Sequence, residues 1–144
     1  MAIEDRQLMM SLDQAVTATA ASTDYIDLGA VRNVGVGEEL WVVFTVTTTT
    51  TSGGSTTLDL VIQSDDNTSF SSATTAQTIA SGVAKATLVA GYQIKVNLQP
   101  FTTAERYIRG YYTVNTANFT AGAFRLGIQK DVEIYKAPSA PYPV

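Results

Sequence analysis

The sequence predicts an all-β fold, a single-domain antiparallel jelly roll or β-sandwich with extended N- and C-terminal arms. Three observations lead to this prediction. Apolar and polar residues alternate with a period of two in several segments, as they do in strands with one buried face. Clusters of Gly, Asn, Asp and Ser separate these segments at the spacing typical of sandwiches and barrels. No segment of 10 or more residues between them has a helical period.

The N-terminal residues carry apolar side chains without a regular period. Ile3, Leu8, Met9 and Met10 are spaced in a way that fits neither a helix nor a strand. Residues 1–13 are therefore predicted to form an arm outside the sheets, and these four side chains are candidate contacts with a partner. The alternative for this arm, as for the C-terminal one, is an untethered tail.

The body of the chain, residues 14–136, is predicted to be the β domain. Short candidate strands occupy residues 16–19 and 25–28. The longest alternation spans residues 40–63, on both sides of a threonine-rich segment with two adjacent glycines. We interpret it as the two arms of one hairpin, because such glycines supply the positive φ angles that a hairpin tip needs. The alternative for the threonine run is a low-complexity linker.

The second half of the chain continues the same alternation. Further candidate strands lie at residues 77–80, 86–89, 93–98, 107–114, 124–129 and 132–135. Together with the earlier segments they amount to about eight to ten strands, as many as a sandwich or jelly roll contains.

A proline-rich segment follows the last candidate strand. Residues 137–144 read APSAPYPV. Proline removes backbone donors and keeps the chain extended, so this segment is predicted to be a C-terminal arm. Pro141, Tyr142 and Val144 are its candidate interface residues, because apolar groups on a stiffened segment bind with little loss of conformational entropy.

The composition argues against several kinds of function. The 144-residue chain has no histidine and no cysteine, the usual general base and the strongest nucleophile. A net charge of -4 with nine scattered basic residues gives no basic stripe for nucleic acid. No apolar run approaches the ~20 residues that span a bilayer, and no secretory leader is recognisable. We therefore expect a protein made in a cytosol, not an enzyme, with no cofactor, no metal and no direct nucleic-acid or membrane partner.

Two groups of side chains are candidate sites. The sequence SDDN at residues 64–67 offers oxygen ligands to calcium, but it lacks the spacing and the central glycine of an EF-hand loop and is more typical of a turn. Tyr107, Arg109 and Tyr111 share one face of a predicted strand, about 7 Å apart. This row fits a sugar-stacking platform, a protein contact or a face covered by a loop or by the second sheet, and the three alternatives stay open.

Three longer stretches carry a resemblance to a known family. They are DYIDLGAVRNVGVGEELWVVFTVTTTT at residues 24–50, LVIQSDDNTSF at 60–70 and GAFRLGIQKDV at 122–132. In these stretches the chain resembles the jelly-roll capsid cement, or decoration, proteins of tailed bacteriophages, in particular the Bordetella-phage cement-protein family. The resemblance covers most of the chain and contains no catalytic motif.

The resemblance implies a structural virion protein. Proteins of this kind bind the outside of an icosahedral phage head and stabilise contacts between major capsid protein subunits. It also implies self-association, with a homodimer favoured over a homotrimer, and a place on the outer capsid surface after synthesis in the bacterial host cytoplasm. The alternative is a carbohydrate-binding jelly-roll module or virion adhesin that uses Trp41, Tyr107 or Tyr111. Open ring faces on these three residues would favour that alternative.

Overall fold

A computed structural model describes residues 5–34 and 36–130. Their backbone forms nine β-strands, preceded by a 3₁₀ turn at Arg6–Leu8. In chain order the strands are β1 (Met9–Ala15), β2 (Ala20–Ala21), β3 (Ile26–Asp27), β4 (Leu40–Thr51), β5 (Thr57–Asp65), β6 (Thr74–Ala84), β7 (Gln93–Asn97), β8 (Tyr107–Asn115) and β9 (Ala121–Lys130). No helix in these two ranges is long and apolar enough to cross a membrane. The predicted all-β class is confirmed.

The strands form two antiparallel sheets. The first sheet has the order β1-β9-β4-β7, and the second has the order β2-β8-β5-β6, with β3 also paired to β8. β2 and β3 lie along the same edge of β8, because Ala21 pairs with Tyr111 and Ile26 pairs with Ile108. They act as one interrupted edge strand. Each sheet then has four strand positions, and the whole is an eight-position jelly roll.

The core lies between the sheets. It consists of the apolar side chains that point inward at every second position of the strands. Almost completely buried side chains alternate along two long strands that face each other: Val42, Phe44 and Val46 in β4, and Leu58, Leu60 and Ile62 in β5. At the centre, the Phe124 ring packs against the rings of Phe44 and Tyr112, with centroids 5.1 and 5.6 Å away. The Tyr112 hydroxyl donates to Ser11 Oγ at 2.8 Å, and burial raises the pKa of Tyr112 above its usual range. This cluster connects the two sheets.

The predicted hairpin over residues 40–63 is wrong in its pairing. Both strands exist, but β4 pairs with β7 and β9 in the first sheet, whereas β5 pairs with β6 and β8 in the second. Each strand must bury one apolar face. Two strands that belong to different sheets and face each other across the core bury these faces without forming backbone hydrogen bonds to each other. The alternation therefore predicts the strands but does not distinguish a hairpin from a crossover between sheets.

Residues 52–56 make this crossover through side-chain hydrogen bonds. Ser52 Oγ lies 2.6 Å from Thr56 Oγ1 and accepts from the Gly54 amide at 3.2 Å. Lys85 Nζ donates to the Ser52 carbonyl at 2.7 Å. Neither of the two adjacent glycines adopts the left-handed φ that we predicted for a hairpin tip. The threonine-rich segment is the end of β4 followed by a connection between sheets.

The predicted N-terminal arm is wrong for residues 9–13. They belong to β1, which pairs with β9 at the edge of the first sheet. Met10 is completely buried in the core, whereas Met9 is buried on the outer face, where its sulfur packs against Gly127. Neither methionine is therefore available as an interface residue. Leu8 is half-buried against the core.

Two of the short predicted strands are connections. Residues 16–19 follow β1 without pairing as a strand, and residues 86–89 make tight turns, with the Thr87 amide donating to the Ala84 carbonyl at 2.9 Å. Other predictions lie outside the described residues: the strand at 132–135, the arm at 137–144, and the candidate residues Ile3, Pro141, Tyr142 and Val144.

Candidate protein interface

The row predicted on β8 lies on the outer face of the second sheet. Tyr107, Arg109 and Tyr111 are half-buried and point away from the core, whereas Ile108 and Tyr112 point into it and are completely buried. The period of two therefore predicted the placement of this row correctly.

The loop between β5 and β6, residues 66–73, folds over part of this row. Its Phe70 is only 7% exposed. The guanidinium carbon of Arg109 lies 4.3 Å from the centre of the Phe70 ring and 5.6 Å from the centre of the Tyr111 ring. Arg109 Nε also donates to Gln63 Oε1 at 3.0 Å. Arg109 is therefore held between two aromatic rings, whose quadrupoles favour a cation there.

Tyr25, just before β3, completes the group. Its ring centre lies 6.1 Å from that of Phe70 and 5.6 Å from that of Tyr107, edge to face at Tyr107. Tyr25 is 45% exposed. We call Tyr25, Phe70, Tyr107, Arg109 and Tyr111 the aromatic face. These contacts link the four rings, and the Arg109 guanidinium lies against two of them.

A buried carboxylate holds the loop of residues 66–73 in place. Asp65, at the end of β5, is 2% exposed. Its carboxylate accepts from the Asp66 amide at 2.7 Å, from Asn67 Nδ2 at 2.9 Å, and from the amide and the hydroxyl of Ser72, both at 2.9 Å. Burial raises the pKa of Asp65, but these hydrogen bonds outweigh it and hold the pKa below its usual value.

The same contacts argue against calcium at residues 64–67. Donors from Asp66, Asn67 and Ser72 point at the Asp65 oxygens that a cation would need. Within the ranges 5–34 and 36–130, no group of three or more His, Cys, Asp or Glu side chains could hold a metal ion. This segment is a turn whose acid organises the following loop.

Phe70 adopts a backbone conformation that non-glycine residues rarely take. Its φ is +50°, in the left-handed region. Strain of this kind persists where the surroundings determine the conformation. Here Asp65 fixes the loop on both sides, at Asp66 and Ser72, and the Phe70 ring is buried. The strained backbone therefore belongs to the residue whose ring covers part of the row on β8.

An ion pair borders the aromatic face. Arg106 Nε donates to Asp27 Oδ1 at 2.8 Å, and a terminal Arg106 nitrogen donates to Asp27 Oδ2 at 2.9 Å. The Arg106 guanidinium lies 5.1 Å from the centre of the Tyr107 ring. Hydrogen bonds from Arg106 and from the Gly29 amide lower the pKa of Asp27 to about 2. The ion pair thus connects β3 with the residue that precedes β8.

The sequence was compared with models of protein families. The Bbp16 model matches residues 10–128, which is most of the chain and includes every residue of the aromatic face. The chain belongs to the Bbp16 family. A search among curated proteins finds no match. The Bbp16 match begins in β1 and ends in β9, so the family pattern covers both sheets.

In this Bbp16 chain, one predicted group of contact residues comes together on one surface. Tyr107, Arg109 and Tyr111 belong to the aromatic face, whereas the described N-terminal candidates pack in the core or on the first sheet. Trp41, the third ring considered for sugar binding, is half-buried on β4, paired with Gln129 on the first sheet. It is therefore not part of the aromatic face.

Sequence reasoning missed Tyr25 and Phe70 as members of this Bbp16 surface. They lie outside β8, and no period connects them with it. One signal points to Phe70: it is the single apolar side chain in the polar stretch DNTSFSS at residues 66–72. A large ring in such a loop gains free energy by packing back on a sheet, so this stretch indicates a loop that covers a neighbouring face.

Acidification is expected to remove the stabilisation that Asp27 contributes to this Bbp16 chain. The pKa of Asp27 in the folded protein, about 2, lies below its ordinary value of 3.8, so folding favours the ionised form. The contribution is complete above about pH 4 and is lost as the pH falls through about 2. Asp27→Asn should therefore lose less stability than the parent over that interval. Urea denaturation at fixed pH measures this, and identical pH dependences would contradict the ion pair.

Proposed function

We propose that this chain is a capsid cement, or decoration, protein that binds the outside of an icosahedral phage head and stabilises contacts between major capsid protein subunits. The family name supports a role in a phage particle, since Bbp names suggest a Bordetella phage protein. The resemblance of the sequence to phage cement proteins supports the same role. In this proposal the protein is made in the bacterial host cytoplasm and acts on the outer capsid surface. It self-associates as a homodimer or, as a second choice, a homotrimer.

The observation that carries the proposal is the aromatic face. Tyrosine and arginine are enriched among the residues that dominate protein interfaces. Here Tyr107, Arg109 and Tyr111 are fixed by a strand on one side and by the Phe70 loop on the other. A surface fixed before binding loses little side-chain entropy when a partner docks. Such a surface suits attachment to another protein.

The same geometry favours a protein over a sugar as the partner. A stacked sugar needs an open ring face. The Arg106 guanidinium lies over the Tyr107 ring, and the Arg109 guanidinium lies over the Tyr111 ring. One face of each ring on β8 is therefore already in contact with a cation, which leaves less ring surface for a sugar.

The proposed role needs no catalysis and no cofactor. A passive clamp moves no proton, and the chain has neither histidine nor cysteine. Its effect follows from mass action, because a ligand that binds the assembled shell but not the separated subunits stabilises the shell. Strength then depends on the area and quality of the contact.

Shells saturated with the protein are expected to disrupt at a higher temperature than bare shells. The rise should grow with measured occupancy and then level off. Tyr25→Ala, which removes an exposed ring of the aromatic face, should reduce the rise at equal protein concentration. The matched control is Val31→Ala, which shortens a side chain that is 65% exposed in the loop before β4. Heat disruption followed by light scattering measures these shifts, and equal temperatures at full occupancy would contradict the proposal.

A further inference from the structure

We propose that the aromatic face receives residues 138–144 of a second copy of the chain, so that two copies exchange their C-terminal segments. The inference rests on the proposed function in one respect, that the aromatic face binds protein, and it assigns this face to the self-association of the proposed cement protein rather than to direct contact with the shell. Three features identify the occupant: the donors on the face, the acceptors in the segment, and the direction in which the chain leaves the fold.

The aromatic face offers hydrogen-bond donors set among apolar rings. Arg109 uses Nε for Gln63 Oε1, and no acceptor in the described part of the chain takes its remaining N–H groups. The Phe70 and Tyr111 rings both lie close to the guanidinium, at 4.3 and 5.6 Å from its carbon to the ring centres. A guanidinium has five N–H donors and no acceptor. A complementary partner therefore supplies oxygen acceptors close to apolar side chains.

The sequence of residues 138–144, PSAPYPV, supplies acceptors with few donors. Its three prolines have carbonyl oxygens but no N–H groups. The first four residues form a Pro-x-x-Pro pattern, which favours a polyproline II conformation whose carbonyls make no internal hydrogen bonds. Aromatic-lined surfaces bind segments of this kind in several recognition domains. Tyr142 adds a ring that can pack against the exposed Tyr25.

The last two described strands set the direction of the chain. They lie opposite each other across the core, where the Leu126 side chain fills the space beside Gly110. A short connection, residues 116–120, joins the end of β8 to the start of β9. β9 therefore runs back and reaches Lys130 at the end of the sandwich where β8 begins with Tyr107.

This direction favours a second copy over the same chain. To reach its own aromatic face, the segment would have to reverse around the end of the sandwich within residues 131–137. That stretch, DVEIYKA, contains a single residue of the usual turn-forming types, Asp131, and its β-branched and aromatic residues favour an extended backbone. An extended stretch would carry residues 138–144 away from their own sandwich, by up to about 3.3 Å per residue.

Exchange between two copies is reciprocal. Each copy has one aromatic face and one segment, so a single two-fold axis satisfies both contacts, as in any isologous interface. The first contact raises the effective concentration for the second. The prolines restrict the unbound segment, so docking costs less ordering entropy than it would for a flexible tail.

Disulfide trapping tests the exchange in the full-length protein, because the chain has no cysteine of its own. Two single variants are mixed: Ser139→Cys in the segment, and Thr113→Cys on the outer face of β8, two residues beyond Tyr111. The matched control pairs Ser139→Cys with Gln93→Cys, an exposed position on β7 in the first sheet. After mild oxidation, mass spectrometry quantifies the mixed disulfide, which joins two different chains by construction.

We expect at least about tenfold more 139–113 than 139–93 disulfide, because docking raises the local concentration of the first pair. Adding Arg109→Gln to the Thr113→Cys chain should remove most of the excess. Adding Arg32→Gln, at an exposed arginine outside the aromatic face, should not. Equal yields at positions 113 and 93 overturn the inference. A further sample uses one chain that carries both Ser139→Cys and Thr113→Cys. If its disulfide forms only within that chain, the inference is also overturned, since the segment then docks on its own copy.

Shell protection by the parent protein is measured alongside. If the 139–113 excess is missing while the shells are protected from heat, the exchange is refuted and the cement proposal stands. If the excess is present while the shells are not protected, the exchange stands and the cement proposal fails. The two ideas are therefore distinguishable.

Discussion

Replacing Phe124 with alanine is expected to lower the free energy of unfolding by about 3–5 kcal/mol. Phe124 is completely buried, and its ring centre lies 5.1 Å from that of Phe44, 5.6 Å from that of Tyr112 and 6.5 Å from that of Phe119. These rings come from both sheets and from the connection before β9. A cavity at this point would be lined by groups that other contacts hold in place, so the site cannot collapse to fill it.

Urea denaturation of the parent and the variant measures the loss. Phe124→Leu is the matched control in the core, because it keeps more of the side-chain volume and should cost clearly less. Val31→Ala, on an exposed loop, should stay within about ±0.5 kcal/mol of the parent. A loss below about 1 kcal/mol for Phe124→Ala would mean that the sheets do not meet at this ring.

The substitution Asp65→Ala is expected to release the loop of residues 66–73 while the sandwich stays folded. The carboxylate accepts hydrogen bonds from both ends of the loop, at Asp66 and Ser72. Without it, fewer contacts offset the left-handed backbone at Phe70, and the ring is expected to leave Arg109 more often. Amide hydrogen exchange in the loop should rise by on the order of tenfold or more, because the free energy of local opening falls.

Asp66→Ala is the matched control for this substitution. Asp66 is exposed, and its side chain accepts a hydrogen bond from Asn67 Nδ2, whereas the described contacts to Ser72 at the far end of the loop are made by Asp65. Hydrogen exchange measured by mass spectrometry compares the two variants. Because folding lowers the pKa of Asp65, acid should produce the same release only as the pH falls below the ordinary titration range of an aspartate. Unchanged exchange in residues 66–73 of Asp65→Ala would show that other contacts hold the loop.

The long strands could be predicted because burial of one face imposes a period of two on the residues themselves. Along β8, Ile108 and Tyr112 face the core while Tyr107 and Tyr111 face outward, as the alternation indicated. Which strand pairs with which does not follow from that period. β4 and β5 have the same pattern whether they share a sheet or face each other across the core. The choice depends on β8 and β9, which lie far along the chain.

Met9 and Met10 illustrate a second limit of sequence reasoning. One methionine faces the core and the next packs against Gly127 on the outer face, so both faces of β1 are covered there and no alternation results. The aromatic face was predicted in part for a similar reason. Its β8 members follow a period, whereas Phe70 depends on a loop that a buried carboxylate organises, and such contacts leave no periodic signal.

The pairing of β1 with β9 has a consequence for the time at which the protein folds. Met9 lies opposite Gly127, and Ala15 lies opposite Ala123. β1 leaves the ribosome before the other described strands, but its partner β9 is synthesised after all of them. The first sheet therefore stays open through most of translation. Contacts between such distant residues close long loops, and domains dominated by them fold in roughly milliseconds to seconds. The first sheet can therefore be completed only after β9 has emerged from the ribosome.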